Sequence, residues 1–421
     1  MSRRVAKTLQ VCVDARLTPG ASGGIEQVVI GLANGFAKMI DGRENYHFLT
    51  FPGRDRWLRP YITGPCKILH SRFSFRTKLQ TLLNSIPGAA GLAVRLLKRL
   101  GNTINPLPRS DGSVEAAEID IMHFTFQSAF LTRIPSIYHP WDLQHIHQPS
   151  FFAEHERLIR EAKFFTYCNQ AQMVSVASRW MKKELVKHLD LEQSKVKVVP
   201  MAPSIDAYPT PIGEDLSAAR SKFGLPESFL FYPAKTWGHK NHLGLLEALG
   251  ILRAQHGLTP LLVCSGGETP FFHRIRNRLK QLNLTSQVRF IGFVSPLELV
   301  SLYRLSRCVI FPSKYEGWGL PITEAMRLGV PVACSALPVL REQAGDAALF
   351  FDPGDPQAIA GAIARLWTEE DLRKSLSEKE KVQASQFSWD RTARIFRAHY
   401  RRLAGRPMTE EDAHLVREAS A

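Results

Sequence analysis

Residues 308–335 have the sequence CVIFPSKYEGWGLPITEAMRLGVPVACS, which joins an apolar run to a glycine-rich loop and then to a helical pattern. The first five residues of this segment predict a buried strand. A proline at position 321 favours a helix start, and Gly329 favours a helix end before a second strand at 330–334. In parallel α/β sheets this order places the loop at the carboxyl edge, where a helix N-terminus favours an anion such as phosphate.

Two glutamates, Glu316 and Glu324, bracket this predicted anion site. A carboxylate repels phosphate but accepts strong hydrogen bonds from neutral hydroxyls, so a sugar diol and a ribose diol are suitable partners. A structural interpretation is also open: Glu324 complements the helix dipole, and Glu316 solvates a turn.

The composition indicates a two-domain protein with an anionic partner. The chain has 421 residues, 44% of them hydrophobic, which is enough for two separate cores. Its net charge of +15 favours a nucleotide, a phosphorylated lipid, a membrane surface or a nucleic acid as partner. Residues 54–109 contain 11 basic residues and one acidic residue, so most of the excess charge lies in one insertion.

The cysteines and the hydrophobic pattern indicate the cellular compartment of the protein. The six cysteines form no C-x-x-C pair, which predicts reduced thiols in the core. The sequence shows neither a signal-peptide pattern nor an apolar run of membrane-spanning length. We therefore expect a cytoplasmic protein, soluble or peripherally attached to the inner face of the membrane.

A cationic amphipathic helix is predicted inside the basic insertion. Residues 92–100 place leucines on one helical face and Arg95, Lys98 and Arg99 on the other. Such a helix can lie on an anionic membrane, or it can be an ordinary surface helix with a solvated basic face. A nucleic-acid groove is disfavoured because tyrosine and tryptophan are not interleaved with the charges.

Strand candidates alternate with helical segments in both halves of the chain, which predicts two parallel sheets. Four prolines between residues 200 and 211 predict a linker. We therefore predict a first domain at 1–205, a second domain at 206–385, and a terminal helix in 386–405 that packs back on the first domain. Residues from 405 onward are charged and are predicted to fray. The predicted strands are 9–15, 46–51, 67–71, 120–126, 173–177, 196–199, 229–233, 260–264, 288–293, 308–311, 330–334 and 348–351.

Two lysines follow the first strand of the second domain, in the segment PAKTWGHKNH. Lys235 and Lys240 are thereby placed at the same sheet edge as the Glu316 loop, and they are candidates for neutralising a diphosphate. The alternative is that both are exposed loop lysines.

These motifs together resemble those of glycosyltransferase family 4. The shared features are EGWGLPITE with its E-x7-E spacing, KTWGHKN, the GFV at 292–294 and the N-terminal GGIE. The resemblance implies an α/β protein with the GT-B architecture, in which two Rossmann-like, doubly wound parallel-sheet domains face each other. It also implies that the second domain holds the donor, and that a hexose is transferred from a nucleoside diphosphate sugar with retention.

The resemblance further implies roles for residues on the donor side. Glu324 is expected to hold the ribose diol and Glu316 the hydroxyls of the donor sugar. Lys235 and Lys240 are expected to grip the diphosphate, although the family usually has an arginine at position 235. The other expected donor contacts come from the backbone of Gly23, Gly24, Phe293, Val294, Gly317, Gly319 and Leu320.

The acceptor side is expected to contain a histidine from a segment similar to YHPWDLQHIHQPSFF, residues 138–152. The family has histidine directly before the aspartate, whereas Trp141 stands there in this chain. The role therefore passes to His139, which joins Glu316, Lys240 and Lys235 as expected catalytic groups. A metal cluster of Asp142, His145 and His147 is disfavoured because a further suitably spaced ligand is absent.

The expected chemistry uses neither a metal nor a cofactor besides the donor. The chain has no Asp-x-Asp, and Lys235, Lys240 and a helix N-terminus can stabilise the departing diphosphate. Glu316 and Glu324 come from one turn and its helix, so glycoside hydrolysis is disfavoured. The predicted function is mannosyl transfer to a glycan or lipid-linked acceptor in surface polysaccharide or lipopolysaccharide synthesis. The alternatives are a non-catalytic module that binds anionic membranes or nucleic acid, and a nucleotide-sugar epimerase or phosphorylase.

Overall fold

The computed structural model describes residues 7–20, 23–72 and 107–420. Much of the basic insertion, and the whole of its predicted amphipathic helix at 92–100, lies outside these ranges. None of the helices within them combines the length and the apolar content needed to cross a membrane.

The first domain is built on a seven-stranded parallel sheet with strand order β3-β2-β1-β4-β5-β6-β7. The chain moves outward from β1 in one direction and then returns to add β4 on the other side, so the order reverses between β1 and β4. The strands are β1 Leu9–Asp14, β2 Glu44–Thr50, β3 Cys66–His70, β4 Ile121–Phe124, β5 Ser136–Tyr138, β6 Met173–Val176 and β7 Val196–Val198.

Helices cover both faces of this sheet, as a parallel sheet requires. Helix α1 starts at the glycine pair 23–24, where Gly23 has φ of 59°. The described helices of this half are α1 Gly24–Ala37, α2 Ser113–Ala116, α3 Gln144–His147, α4 Glu154–Gln170 and α5 Arg179–Leu189, with 3-10 turns at Arg59–Tyr61, Pro149–Phe151 and Gln193–Lys195.

The second domain has a six-stranded parallel sheet with strand order β10-β9-β8-β11-β12-β13. The order reverses between β8 and β11, which are hydrogen-bonded neighbours. Both sheets are therefore doubly wound, as the sequence predicts. The strands are β8 Leu230–Pro233, β9 Leu262–Ser265, β10 Val288–Gly292, β11 Cys308–Phe311, β12 Val332–Ser335 and β13 Leu349–Phe351.

The segment at 308–335 forms the predicted strand, loop, helix and strand. Strand β11 is fully buried, and the helix that follows ends at Gly329, whose φ of 65° suits glycine. The helices of this half are α6 Gly213–Phe223, α7 His242–His256, α8 Phe272–Gln281, α9 Pro296–Leu305, α10 Leu320–Leu328, α11 Pro338–Ala344, α12 Pro356–Thr368 and α13 Glu370–Ala384, with 3-10 turns at Ser204–Ala207 and Gly238–Lys240.

After α13 the chain returns to the first domain through α14, Trp389–Leu403. The Trp389 ring lies against Gly31 of α1, where an added Cβ would come within 1.9 Å of the ring. Its indole Nε1 donates a hydrogen bond to the carbonyl of Pro203 at 2.9 Å. The structure thus places the terminal helix where the sequence analysis put it, against the first domain.

The expectation that residues from 405 onward fray is wrong. They form helix α15, Glu410–Glu418, capped by the Thr409 hydroxyl. Asp412 of this helix pairs with Arg401 at 2.8 Å, and the amide of Val198 donates to the carbonyl of Ala419 at 2.8 Å. Asp412 is therefore a buried, paired charge, whereas Glu410, Glu411, Arg417 and Glu418 lie on the exposed surface of the helix.

Of two further details, one differs from the sequence analysis and the other agrees with it. Strand β5 was not predicted, because its three residues lie between prolines 135 and 140 and give too short an apolar run. The six cysteines are free and buried, as expected of core thiols, and burial raises the pKa of Cys308 and Cys66 to about 12.

Candidate functional site

A partly buried ion pair lies at the reversal point of the second sheet. Lys240 comes from the loop after β8, and Glu316 comes from the loop after β11. Since β8 and β11 are neighbours, their carboxyl ends meet at one edge, and the Lys240 Nζ lies 2.5 Å from the Glu316 Oε1. Their side chains are 19% and 9% exposed, respectively. Such reversal points are where open α/β sheets bind ligands.

The two loops that carry this pair are fastened to each other. The side-chain amide of Asn241 donates to the carbonyls of Pro312 and Pro353, at 3.0 and 2.9 Å. The amide of Lys314 donates to the carbonyl of His239 at 2.8 Å. The residues on either side of Lys240 are therefore hydrogen-bonded to the loop that carries Glu316.

Lys235 lies across from the glycine pair of the first domain. A Cβ added to Gly23 would be 3.4 Å from the Lys235 Cε, and one added to Gly24 would be 3.3 Å from the Leu320 Cδ1. Burial lowers the pKa of Lys235, and the Glu26 carboxylate opposes this shift. The predicted residues Gly23, Gly24, Lys235 and Leu320 thus meet at one place between the two domains.

Gly317 lies directly against the first domain. A Cβ at this position would lie 2.0 Å from the carbonyl oxygen of Trp141, so a larger residue would separate the two segments. Next to it, the Tyr315 hydroxyl accepts a hydrogen bond of 3.0 Å from the amide of Leu143. The Glu316 loop therefore contacts the segment that follows β5.

Glu324 lies deeper than the other predicted donor residues. It is 2% exposed, and its carboxylate accepts hydrogen bonds of 2.7 Å from the hydroxyls of Ser204 and Tyr303. Burial raises its pKa. Its partners are neutral hydroxyls, which is the chemistry expected from the sequence, but here the protein itself supplies them. Binding of the ribose by Glu324 stays a prediction.

The remaining donor residues lie along the same edge of the sheet. Phe293 follows the end of β10 and is 67% exposed, whereas Val294 is buried. Strand β10 is two strands from β8, which corresponds to about 10 Å. Gly319 precedes α10, and its carbonyl accepts a hydrogen bond of 3.0 Å from Gln343.

His139 does not line the cleft, so the expectation that it contacts an acceptor is corrected. Its side chain is 1% exposed, and its Nε2 lies 2.8 Å from the Nε2 of His123. The Nδ1 of His123 lies 2.5 Å from the hydroxyl of Tyr400. Burial lowers the pKa of His139 from 6.5 to about 3. Trp141, which stands at the family's histidine position, is more exposed and has φ of 67°.

The disfavoured metal cluster of Asp142, His145 and His147 is not assembled. Asp142 accepts a hydrogen bond from the side-chain amide of Gln127, and the His145 ring packs edge-on against Phe164. Three site groups went unnoticed in the sequence: the hydroxyls of Ser204, Tyr303 and Tyr315. Their sequence positions carry no signal, since each reaches its partner only through the fold.

A family of known proteins matches the part of the chain that contains this site. Residues 216–383 match the family model described as glycosyl transferases group 1. The chain is therefore similar to this family over less than half of its length. The matched segment contains both lysines and both glutamates of the site, and the resemblance noted in the sequence is confirmed over these residues.

Relatives match the chain over about half of its length. It is 29% identical over 222 residues to the O-antigen chain mannosyltransferase B of Escherichia coli, a match covering 53% of this chain and 58% of that relative. The chain thus spans somewhat more than half the length of this relative.

Solved structures match almost the entire chain. Sucrose-phosphate synthase from Thermosynechococcus elongatus superposes with a TM-score of 0.68 at 18% identity, covering 94% of this chain and 99% of that one. HepE from Anabaena, in complex with UDP and glucose, gives 0.66 at 18% identity, covering 93% and 99%. The GT-B fold predicted from the sequence is confirmed.

Proposed function

We propose that the protein is a retaining glycosyltransferase that moves a hexose, expected to be mannose, from a nucleoside diphosphate sugar to a glycan or lipid-linked acceptor. The observation that carries the proposal is the Lys240–Glu316 pair at the sheet reversal point, with Lys235 of the same β8 loop facing Gly23. It combines a cation for a phosphate with a carboxylate for sugar hydroxyls in one interdomain site.

The site chemistry fits departure of a diphosphate. As the bond between the anomeric carbon and the phosphate oxygen breaks, negative charge grows on the diphosphate. Lys240, Lys235 and the N-terminus of α10 are positioned to stabilise that charge. Glu316 would exchange its contact with Lys240 for the hydroxyls of the sugar.

Retention follows from the family resemblance and is part of the proposal. The acceptor hydroxyl attacks on the face from which the diphosphate leaves, and the leaving phosphate oxygen takes the acceptor proton. One carbon–oxygen bond breaks, another forms, and a nucleoside diphosphate is released. The donor is the only small molecule that this reaction requires besides the acceptor.

The identity of the sugar and the biological role rest on the relatives. The Escherichia coli relative is named an O-antigen chain mannosyltransferase, which supports mannose and a role in surface polysaccharide or lipopolysaccharide synthesis. HepE is solved with UDP and glucose, so the fold also accommodates UDP. We place the reaction on the cytoplasmic side, with any attachment to an anionic membrane surface assigned to the basic insertion.

The test measures sugar transfer and donor hydrolysis with UDP-, GDP- and ADP-sugars, after a thermal-shift screen for the nucleotide that binds. Glu316→Ala and Lys240→Ala should each lower the rate about 100-fold or more, because each removes a contact to the charged or reacting group.

The matched control is Lys314→Ala, which removes an exposed lysine from the same loop and should leave transfer unchanged. If neither Glu316→Ala nor Lys240→Ala lowers turnover of any nucleotide sugar that the wild type uses, the site assignment is wrong.

A further inference from the structure

Three side chains able to bind a metal meet on the first domain, outside the proposed donor site. They are His147, Glu184 and His188. The His147 Nε2 lies 2.6 Å from the Glu184 Oε2, the His188 Nε2 lies 3.4 Å from the same oxygen, and all three atoms lie within 4.8 Å of one another.

Two rigid elements hold these side chains. Glu184 and His188 are one turn apart on α5, so they share a helical face. The helix is anchored through Met181 and Leu185, which are fully buried. His147 is the last residue of α3 and reaches across to that face. The arrangement therefore does not depend on a long flexible side chain.

The polar atoms of the cluster are poorly satisfied by one another. His147 Nε2, Glu184 Oε2 and His188 Nε2 are all shielded from solvent, yet among the described residues none of these atoms makes a hydrogen bond of acceptable direction. The distance from His147 to Glu184 is short enough for such a bond, but the alignment is not. Each of these three atoms has a lone pair that can bind a cation, and no well-aligned hydrogen bond among them uses it. A cation bound by all three would satisfy them.

We propose that His147, Glu184 and His188 form a zinc-binding site. Two imidazole nitrogens and one carboxylate oxygen are a known protein ligand set for Zn²⁺. Bond lengths near 2.1 Å place tetrahedral ligands about 3.4 Å apart. Because all three ligand atoms lie within 4.8 Å of one another, the separations need changes of at most about 1.4 Å. The fourth position would take a water molecule.

The site would stiffen the first-domain side of the cleft. The His147 ring stacks on Tyr315, with centroids 5.2 Å apart and planes inclined by 22°. Tyr315 directly precedes Glu316 and also accepts a hydrogen bond from Leu143. A metal that fixes His147 would thus fix the surface on which the Glu316 loop rests. It would not take part in sugar transfer.

The experiment uses the full chain without a histidine tag, stripped of metal by a chelator. Zinc chloride is titrated by equilibrium dialysis with elemental analysis, and the melting temperature is followed in parallel. We expect one zinc per chain and a raised melting temperature. Glu184→Gln and His188→Ala should each weaken binding at least about tenfold, while His155→Ala, at an exposed histidine on α4, should leave it unchanged.

Absence of zinc binding by the wild type, or equal affinity in Glu184→Gln, overturns the proposal and leaves an ion pair between Glu184 and the histidines. If a variant fails to fold, Co²⁺ in the wild type decides the question. Intense visible bands of tetrahedral Co²⁺ support the site, and weak octahedral bands refute it. No step of this test uses the transferase activity, so it is independent of the proposed function.

Discussion

The two glutamates of the E-x7-E motif have different surroundings although they are close in sequence. Glu316 is paired with Lys240 near the surface of the cleft. Glu324 is enclosed, and the hydroxyls of Ser204 and Tyr303 satisfy it. A ligand can therefore reach Glu316 by displacing one lysine contact, whereas reaching Glu324 requires the Ser204 hydroxyl to move.

Histidine 242, next to Lys240, gives a prediction about acid stability. It is 2% exposed, and burial lowers its pKa from 6.5 to about 3. Between these two values the unfolded chain binds a proton that the folded protein does not bind. Folding stability from this residue is therefore present above pH 6.5 and is lost as the pH falls toward 3.

Replacing this residue by His242→Phe should make the pH dependence shallower, by at most about 1.4 kcal/mol per pH unit. The phenyl ring can keep the contact with Tyr232, whose ring centroid is 4.8 Å away. Urea unfolding at pH 7.5 and pH 5.0 measures the difference. Identical losses of stability in variant and wild type would show that His242 is not the group responsible.

Among the elements, the N-terminus of one helix in the first domain is hydrogen-bonded to the second domain. The carboxylate of Glu342, on α11, accepts hydrogen bonds from the first-turn amides of Arg179 and Trp180, at 2.7 and 3.0 Å. These amides belong to α5, and unpaired amides at a helix N-terminus attract a negative charge. The second domain thus caps a helix of the first.

Removing this cap with Glu342→Ala should loosen contact between the domains. Two charge-assisted hydrogen bonds are lost, at a cost of about 2 kcal/mol or more. We expect a larger radius of gyration in small-angle scattering and faster cleavage between the domains by a protease. Asp346→Ala removes a nearby exposed acid and should change neither. Equal scattering of Glu342→Ala and wild type would contradict this role.

The elements also show what sequence patterns can predict. Strand β11 begins and ends where predicted, and helix α14 lies within the predicted range 386–405, because apolar runs and helical periodicity are local signals. The Lys240–Glu316 site was predictable because both loops follow strands. By contrast, Ser204 meets Glu324 across 120 positions and His139 is enclosed by α14, and neither fact is visible in local sequence.

For the whole molecule, the first domain is assembled from two distant parts of the chain. Helix α14 packs on α1, and two ion pairs secure it: Arg397 with Asp41 at 2.6 Å, and Arg401 with Glu44 at 2.7 Å. Together with Trp389, these contacts make α14 part of the first domain's core.

Gly31→Ala tests the importance of this junction. The added Cβ would overlap the Trp389 ring, so the helices must separate, and we expect stability to fall by about 1–3 kcal/mol. The control is Gly361→Ala on α12, where an added Cβ has no neighbour within 4 Å among the described residues. It should be neutral or stabilising by up to about 1 kcal/mol. Equal stability of the two variants in urea would show that the junction tolerates the extra volume.

The contact between Trp389 and Gly31 also determines when the first domain can finish folding during translation. The ribosome must produce the entire second domain between Pro203 and Trp389, and at cellular rates this takes roughly 10 to 40 seconds. Throughout that interval the nascent N-terminal half exposes the apolar groove that Trp389 later fills. The second half can finish folding first, and the groove is a site where chaperones would be needed until synthesis reaches α14.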